Sequence, residues 1–334
     1  MRMVRAGWAL VFAAWVAGAE EPVSRIGFGS CYKPEKSTPL WSKVAEFDPQ
    51  VWLWLGDNVY ADVIDGKYVK KNLPPNAFEQ AYEKLGKSEG VATLQKLPRD
   101  HILATWDDHD YGRNDEGKNW ERKRDAREAF VKFWGGKEQS DGVYSSRDFG
   151  PEGQRVRVIL LDTRFNRDDP GPSGDILGAR QWTWLEEELK RPGARVVVIG
   201  SSIQVLPEQH RFEKWANFPK AKERLWKTLK DAGSQGVIFV SGDRHHAEIS
   251  RLAENPLGYP LYDVTSSGLT ERSSVRDEVN DLRVGEVFPE SNFGVIQIDW
   301  TQADPALRLE IRDGEGKVVR EATFSLSQLA PPKG

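Results

Sequence analysis

Four short stretches bring together side chains able to hold metal ions. GSCY at 29–32 contains Cys31, LGDNVYAD at 55–62 contains Asp57 and Tyr60, TWDDHDYGRND at 105–115 contains Asp108 and His109, and SGDRHHAE at 241–248 contains Asp243, His245 and His246. Cys31, Asp57, Tyr60, Asp108 and Asp243 can all act as anionic ligands, and His245 as a neutral one. Carboxylate and phenolate oxygens suit hard cations such as ferric iron, calcium or manganese, whereas thiolate and imidazole also suit iron or zinc. So many anions need two or more cations to neutralise them. Two metals about 3.5–4 Å apart suit in-line displacement at phosphorus, because they acidify a bound water and clamp the attacking and leaving oxygens.

Each stretch follows an apolar run. VWLWL at 51–55 runs straight into Gly56-Asp57. Taken alone, an apolar run ending in Gly-Asp is a strand entering a turn. Taken together, four such loops imply a shared site, because ligands bind outside the carboxyl ends of the strands in open α/β sheets. The pattern predicts strands over 25–31, 51–55, 101–106, 155–162, 195–200, 237–240, 261–265 and 292–300. Helices are predicted over 39–47, 76–85, 119–134, 178–190 and 222–231, the first with Thr38 as N-cap and Pro39 in its first turn. ALRLEIRDGEGKVVREATFSL alternates around Asp313-Gly314, a hairpin signal. Continuous apolar runs such as VVVI and VIFV belong to a sheet covered on both faces. The result is an α/β fold with no repeat or low-complexity tract.

Composition agrees with a soluble globular chain: 334 residues, 39% hydrophobic and 29% charged. A net charge of −4 without blocks of like charge leaves no nucleic-acid-binding patch evident. The thirteen tryptophans are dispersed and read as core and pocket residues. The N-terminal MRMVRAGWALVFAAWVAGA has two early arginines, an apolar run and a terminal A-x-A pattern. It reads as a secretory signal peptide over 1–19, cleaved after Ala19. The run is shorter than the roughly 20 residues of a spanning helix, and no later segment is apolar enough to span a membrane. Its arginines are not adjacent, which favours the general secretory route and a periplasmic or secreted product. A lone cysteine excludes an intrachain disulfide, and in an oxidising compartment burial or metal ligation would protect it.

These motifs resemble the metallophosphoesterase superfamily. GDNVYAD resembles the GD-x-x-Y-A-D motif of purple acid phosphatases, DDHD stands where the superfamily has GNH[DE], and GDRH stands where it has GHxH. The G-S-C start, the DDHD and GDRH variants, TSSGLT at 265–270 and NFGVIQIDW at 292–300 are similar to the alkaline phosphatase D (PhoD-like) branch. The resemblance covers about residues 25–325. It implies a four-layer α/β/β/α sandwich of the calcineurin-like metallophosphoesterase type, forming one domain over 20–334. It also implies an exported hydrolase of small-molecule phosphate mono- or diesters that uses a metal-bound hydroxide. Iron and calcium are the metals implied, with zinc or manganese as other candidates. Cys31, Asp57, Tyr60 and Asp243 would hold the iron-like ion, with Asp57 bridging, and Asp108 and His245 would serve its neighbour. His109 would be the acid or orienting group and Asn114 a substrate or metal contact. Arg113 and Arg244 are candidates for phosphate oxygens, and Gln204 for a pocket residue. Cys31 follows the cleavage site by twelve residues, which leaves no room for the N-terminal domain of larger members. Two other readings are a phospholipase-D-like diesterase acting on lipid headgroups and a non-catalytic exported metal-binding protein.

Overall fold

The computed structural model describes residues 20–136, 139–273 and 277–332. The expected signal peptide over 1–19 lies outside the described residues. In chain order the strands are β1 (Arg25–Gly29), β2 (Val51–Leu55), β3 (Val63–Ile64), β4 (Lys67–Tyr68), β5 (Ile102–Thr105), β6 (Ser145–Phe149) and β7 (Arg155–Leu160). They continue with β8 (Ala194–Ser201), β9 (Val237–Ser241), β10 (Ala247–Leu252), β11 (Leu261–Ser266), β12 (Asn292–Asp299), β13 (Ala306–Asp313) and β14 (Val318–Ser325). The helices are α1 (Leu40–Phe47), α2 (Ala77–Gly86), α3 (Glu89–Leu94), α4 (Asp108–Tyr111), α5 (Lys123–Trp134), α6 (Gly178–Lys190) and α7 (Pro219–Asp231).

Two six-stranded sheets, ordered β14-β13-β12-β1-β2-β5 and β10-β11-β9-β8-β7-β6, build the α/β/β/α sandwich; β3 and β4 form a small separate hairpin. The apolar run of β2 shows how the layers arise. Val51, Leu53 and Leu55 join β7, β8 and β9 in the core between the sheets. Trp52 and Trp54 point the other way, into a second core with α1, α2 and α5. Both faces are covered, so the strand is apolar throughout. Trp41, Trp52 and Trp54 pack with Tyr32 at ring-centroid distances of 5.3–6.0 Å. On the far side of the second sheet, Trp182, Leu185, Leu225 and Leu229 bury the inner faces of α6 and α7.

Strand direction positions the site. β1, β2 and β5 run parallel, as do β7, β8, β9 and β11. The loops after β1, β2, β5 and β9 meet at their carboxyl ends. Two glycines let them approach. Gly56 has φ +99°, and a Cβ there would lie 2.6 Å from Cβ of Asp107. A Cβ at Gly242 would lie 2.5 Å from Oγ of Ser30. The glycine before each Gly-Asp aspartate therefore permits close packing of the loops.

Candidate metal centre

β1 stops at Gly29, and the chain turns through Ser30 and Cys31. Cys31, Asp57, Asp243 and His245 all have positive φ, at 60°, 48°, 70° and 55°. Non-glycine residues held there are strained and are concentrated at functional sites. Hydrogen bonds fix these turns. The Cys31 amide donates to the Gly56 carbonyl, the Tyr32 amide to that of Asp57, and the Thr270 amide to that of Cys31. Ser267 is a hub: its Oγ lies 3.0 Å from Cys31 Sγ and accepts the His245 amide at 2.8 Å. The TSSGLT stretch thus ties the first loop to the fourth.

Asp57 stands at the centre. The Cys31 thiol donates to its Oδ2 at 3.4 Å, and the Tyr60 hydroxyl donates to the same oxygen at 3.3 Å. Its Oδ1 accepts the His109 amide at 3.4 Å. Tyr60 Oη also lies 3.3 Å from His245 Nε2. Ligand atoms of Cys31, Asp57 and His245 fall within 4.8 Å of one another, as do those of Asp57, Asp108 and His109, and those of Asp107, Asp108 and Asp243. This grouping differs from the division implied by resemblance: His245 sits on the Cys31–Tyr60 side, and Asp243 on the Asp108 side.

Without a cation this arrangement is electrostatically unfavourable. Burial pushes Asp57 well up, and Asp108, Asp107 and Asp110 add to this against His109. Burial and Asp108 raise Asp243, and burial and Asp57 raise both Cys31 and Tyr60. Two like charges 4 Å apart repel by about 4 kcal/mol at an effective dielectric of about 20. Burial lowers His245 to about 4, which leaves it neutral and able to ligate. Asp108 differs. Burial opposes its ionisation, but His109, Arg164 and the Asp115 amide bring it down to about 2. Its Oδ2 accepts that amide at 2.7 Å, while Oδ1 is buried without a hydrogen-bond partner among the described residues. Convergent acids and an unpartnered buried oxygen fit a metal centre, with a mixed set (thiolate Cys31, imidazole His245 and the hard phenolate Tyr60) beside an all-carboxylate one (Asp108, Asp243).

His109 is the best-oriented titratable group. Its Nδ1 is 2.9 Å from each oxygen of buried Asp62, and its ring stacks on Tyr60 with centroids 4.3 Å apart. Burial disfavours its cation, but Asp108, Asp57 and Asp62 outweigh that and push it well up. Asp57, Asp108, His109, Asn114, Asp243, Arg244 and His245 line one cavity of about 540 Å³.

Two expected contacts are corrected. Arg113 does not line the cavity; it pairs with Glu116 at 3.1 Å and packs on Trp120. Gln204 is fully buried away from the cavity, donating to Glu248 at 2.7 Å and Thr265 at 2.8 Å, because the chain turns inward after β8. Arg244 does line the cavity, with its charge met by Glu278. Asp62, Asp107, Arg164 and Glu213 also belong to the site, beyond the residues expected from the sequence. Buried Arg164 pairs with Asp107 at 2.5 Å and Glu213 at 2.6 Å, and Arg167 meets Glu213 at 2.9 Å. Glu213 lies near Asp108 and Asp115, but these two arginines already compensate it. Asp62 and Asp107 stood within the quoted motifs; Arg164 and Glu213 carried no local signal.

The family model for PhoD-like phosphatase matches residues 26–281. The chain belongs to the PhoD-like phosphatases. It is therefore a hydrolase acting on phosphate esters, a metal-dependent phosphoesterase whose clustered acids and histidines suit more than one ion. Solved structures share the PhoD-like fold. The structure of PhoD is 17% identical, with a TM-score of 0.71, over 94% of this chain and 72% of that one. A purple acid phosphatase, PPD1, from yellow lupin (Lupinus luteus) is 13% identical with a TM-score of 0.63, over 92% of this chain and 54% of that one. GAP50, the anchor in the inner membrane complex of Plasmodium, is 12% identical with a TM-score of 0.59, over 92% of this chain and 90% of that one. No curated protein sequence matches the chain. No helix among the described residues of this PhoD-like chain is long and apolar enough to cross a membrane.

Proposed function

We propose that this PhoD-like chain hydrolyses small-molecule phosphate mono- or diesters in the 540 Å³ cavity. Cys31, Tyr60 and His245 would hold one ion, Asp108 and Asp243 another, with Asp57 shared. The thiolate and phenolate favour iron at the first position, and the carboxylates favour calcium or manganese at the second. Such ions supply acidification of water and neutralisation of charge at phosphorus. The remaining work falls to the chain's own groups. Asp62 fixes the Nδ1–H of His109, which leaves Nε2 to pass a proton to the leaving oxygen or to orient the attacking one. Asn114, in the cavity lining, would contact a phosphate oxygen.

The observation that carries this reading is the position of Asp57, with one carboxylate oxygen against Cys31 and Tyr60 and the other against the His109 amide. The test is hydrolysis of para-nitrophenyl phosphate and bis-para-nitrophenyl phosphate, with metal analysis of the same preparation. Turnover of either ester that is lost on chelation and regained on metal addition supports it. A fully loaded protein inert toward both, and toward lipid-headgroup diesters, is a metal-binding protein without this activity. We also propose that residues 1–19 are a signal peptide and 20–334 the exported domain. N-terminal sequencing of exported protein should begin at Glu20, and a mature chain retaining residues 1–19 contradicts this.

A further inference from the structure

The cavity lining holds two chemically different groups of residues. Asp57, Asp108, His109, Asp243 and His245 form one. The other includes Arg211 and Phe212, from the segment between β8 and α7, and Arg244, from the loop after β9. Arg244 is nearly buried; its guanidinium pairs with Glu278 and lies 4.2 Å from the centre of the Phe212 ring. Its Nε is buried without a hydrogen-bond partner among the described residues. Arg211 packs on the same ring at 5.0 Å and is exposed, with no carboxylate partner among the described residues. One aromatic ring therefore carries two guanidinium groups in the lining of a cavity that also holds the acidic cluster.

The volume bears on what the second group is for. About 540 Å³ lies within the range of sites that hold small organic ligands, so the cavity has room for more than a phosphate group. A substrate bound through phosphorus at the acidic cluster must direct some of its alcohol portion elsewhere in the same space. Guanidinium groups match planar or tetrahedral oxyanions with paired N–H donors. Contact with Phe212 restricts Arg211 and reduces the entropy lost when it engages a ligand. Glu278 balances Arg244, and Arg164 and Arg167 balance the lining residue Glu213, which leaves Arg211, among the described residues, as the uncompensated cation beside Phe212.

We propose that Arg211, steadied by Phe212 and flanked by Arg244, is a subsite for a second oxyanion on the alcohol portion of the substrate. The preferred ester would then carry another phosphate or a carboxylate beyond the bond that is cut. This rests on the phosphoesterase reading above and adds the substrate class.

The experiment compares phenyl phosphate with para-(phosphonomethyl)phenyl phosphate. The methylene group insulates the leaving oxygen, so the two esters differ mainly in the second anion. Wild type should favour the phosphonate-bearing ester by about tenfold in kcat/KM, the scale of one exposed charge-assisted contact. That ratio should fall toward one in Arg211→Gln, be partly kept in Arg211→Lys, and shrink with added salt. A ratio near one in wild type, or one unchanged by Arg211→Gln, overturns the subsite. Failure to hydrolyse either ester is failure of the phosphoesterase reading. In that event calorimetric binding of the same two esters decides the subsite: about tenfold tighter binding of the phosphonate-bearing ester that is lost in Arg211→Gln supports it, and equal affinity of the two esters for wild type rejects it.

Discussion

His109 Nδ1 lies 2.9 Å from both carboxylate oxygens of Asp62. A carboxylate in that position fixes the proton on Nδ1 and turns Nε2 toward the cavity. Asp62→Asn should lower kcat by about 10–100-fold, less than the roughly 10²–10⁴-fold of a general acid or base itself, because Asp62 acts only through His109. The metal content should be unchanged, and the pH–rate profile should shift on the limb that reports the histidine. Loss of metal, or an unshifted profile with full activity, contradicts a positioning role for Asp62.

Asp57 is expected to behave differently. Asp57→Asn should lose metal and turnover together while keeping its circular dichroism spectrum. Because Asp57 lies buried among other carboxylates, the neutral amide should leave the metal-free fold at least as stable as metal-free wild type. Urea unfolding after chelation checks this. Near-native turnover with full metal would remove Asp57 from the centre of the site.

Cys31 and Tyr60 test the identity of the first ion. If they share ferric iron, the loaded protein absorbs visible light, and Tyr60→Phe weakens or shifts that band. Cys31 should resist thiol reagents until chelation frees its sulfur. Chelation-dependent reactivity in a colourless protein points instead to zinc or another colourless ion at the same ligands. No band and no effect of chelation would remove Cys31 from the ligand set.

A pH prediction comes from outside the ligands. His210 is buried, and its Nδ1 accepts the Phe212 amide at 3.2 Å, which requires that nitrogen to be unprotonated. Burial, with Arg244 and Lys214, lowers it to about 3. Below about 6.5 the unfolded chain binds a proton that the folded chain refuses. Stability from this residue is thus present above about 6.5 and is lost as pH falls toward about 3. Between pH 7 and 5, wild type should lose about 2 kcal/mol more than His210→Gln. Parallel urea-unfolding curves at the two pH values for both proteins would contradict this.

Much of this architecture could be read from local pattern. VWLWL is apolar on both faces because Leu53 meets the second sheet while Trp52 and Trp54 meet helices. The four loops could be recognised because each ligand follows its strand directly. β6 and β10 were not expected: SSRDF and AEISRL are edge strands too polar to stand out. The predicted helix over 119–134 starts one turn late, at Lys123. The pair Arg164–Asp107 spans 57 residues, and no periodicity announces such a partner. Gln204 misled because position along a strand does not say which way the following turn faces. Arg113 misled because its neighbour Glu116 claims it.

The left-handed backbone at Cys31, Asp57, Asp243 and His245 has a consequence for laboratory evolution. Each such residue costs about 1–3 kcal/mol that glycine would not. A screen rewarding heat resistance alone would therefore favour glycine at these four positions and enrich robust but inert proteins. Thermostable variants of this chain should be selected with turnover in the same assay, since at these positions durability and chemistry are in direct competition.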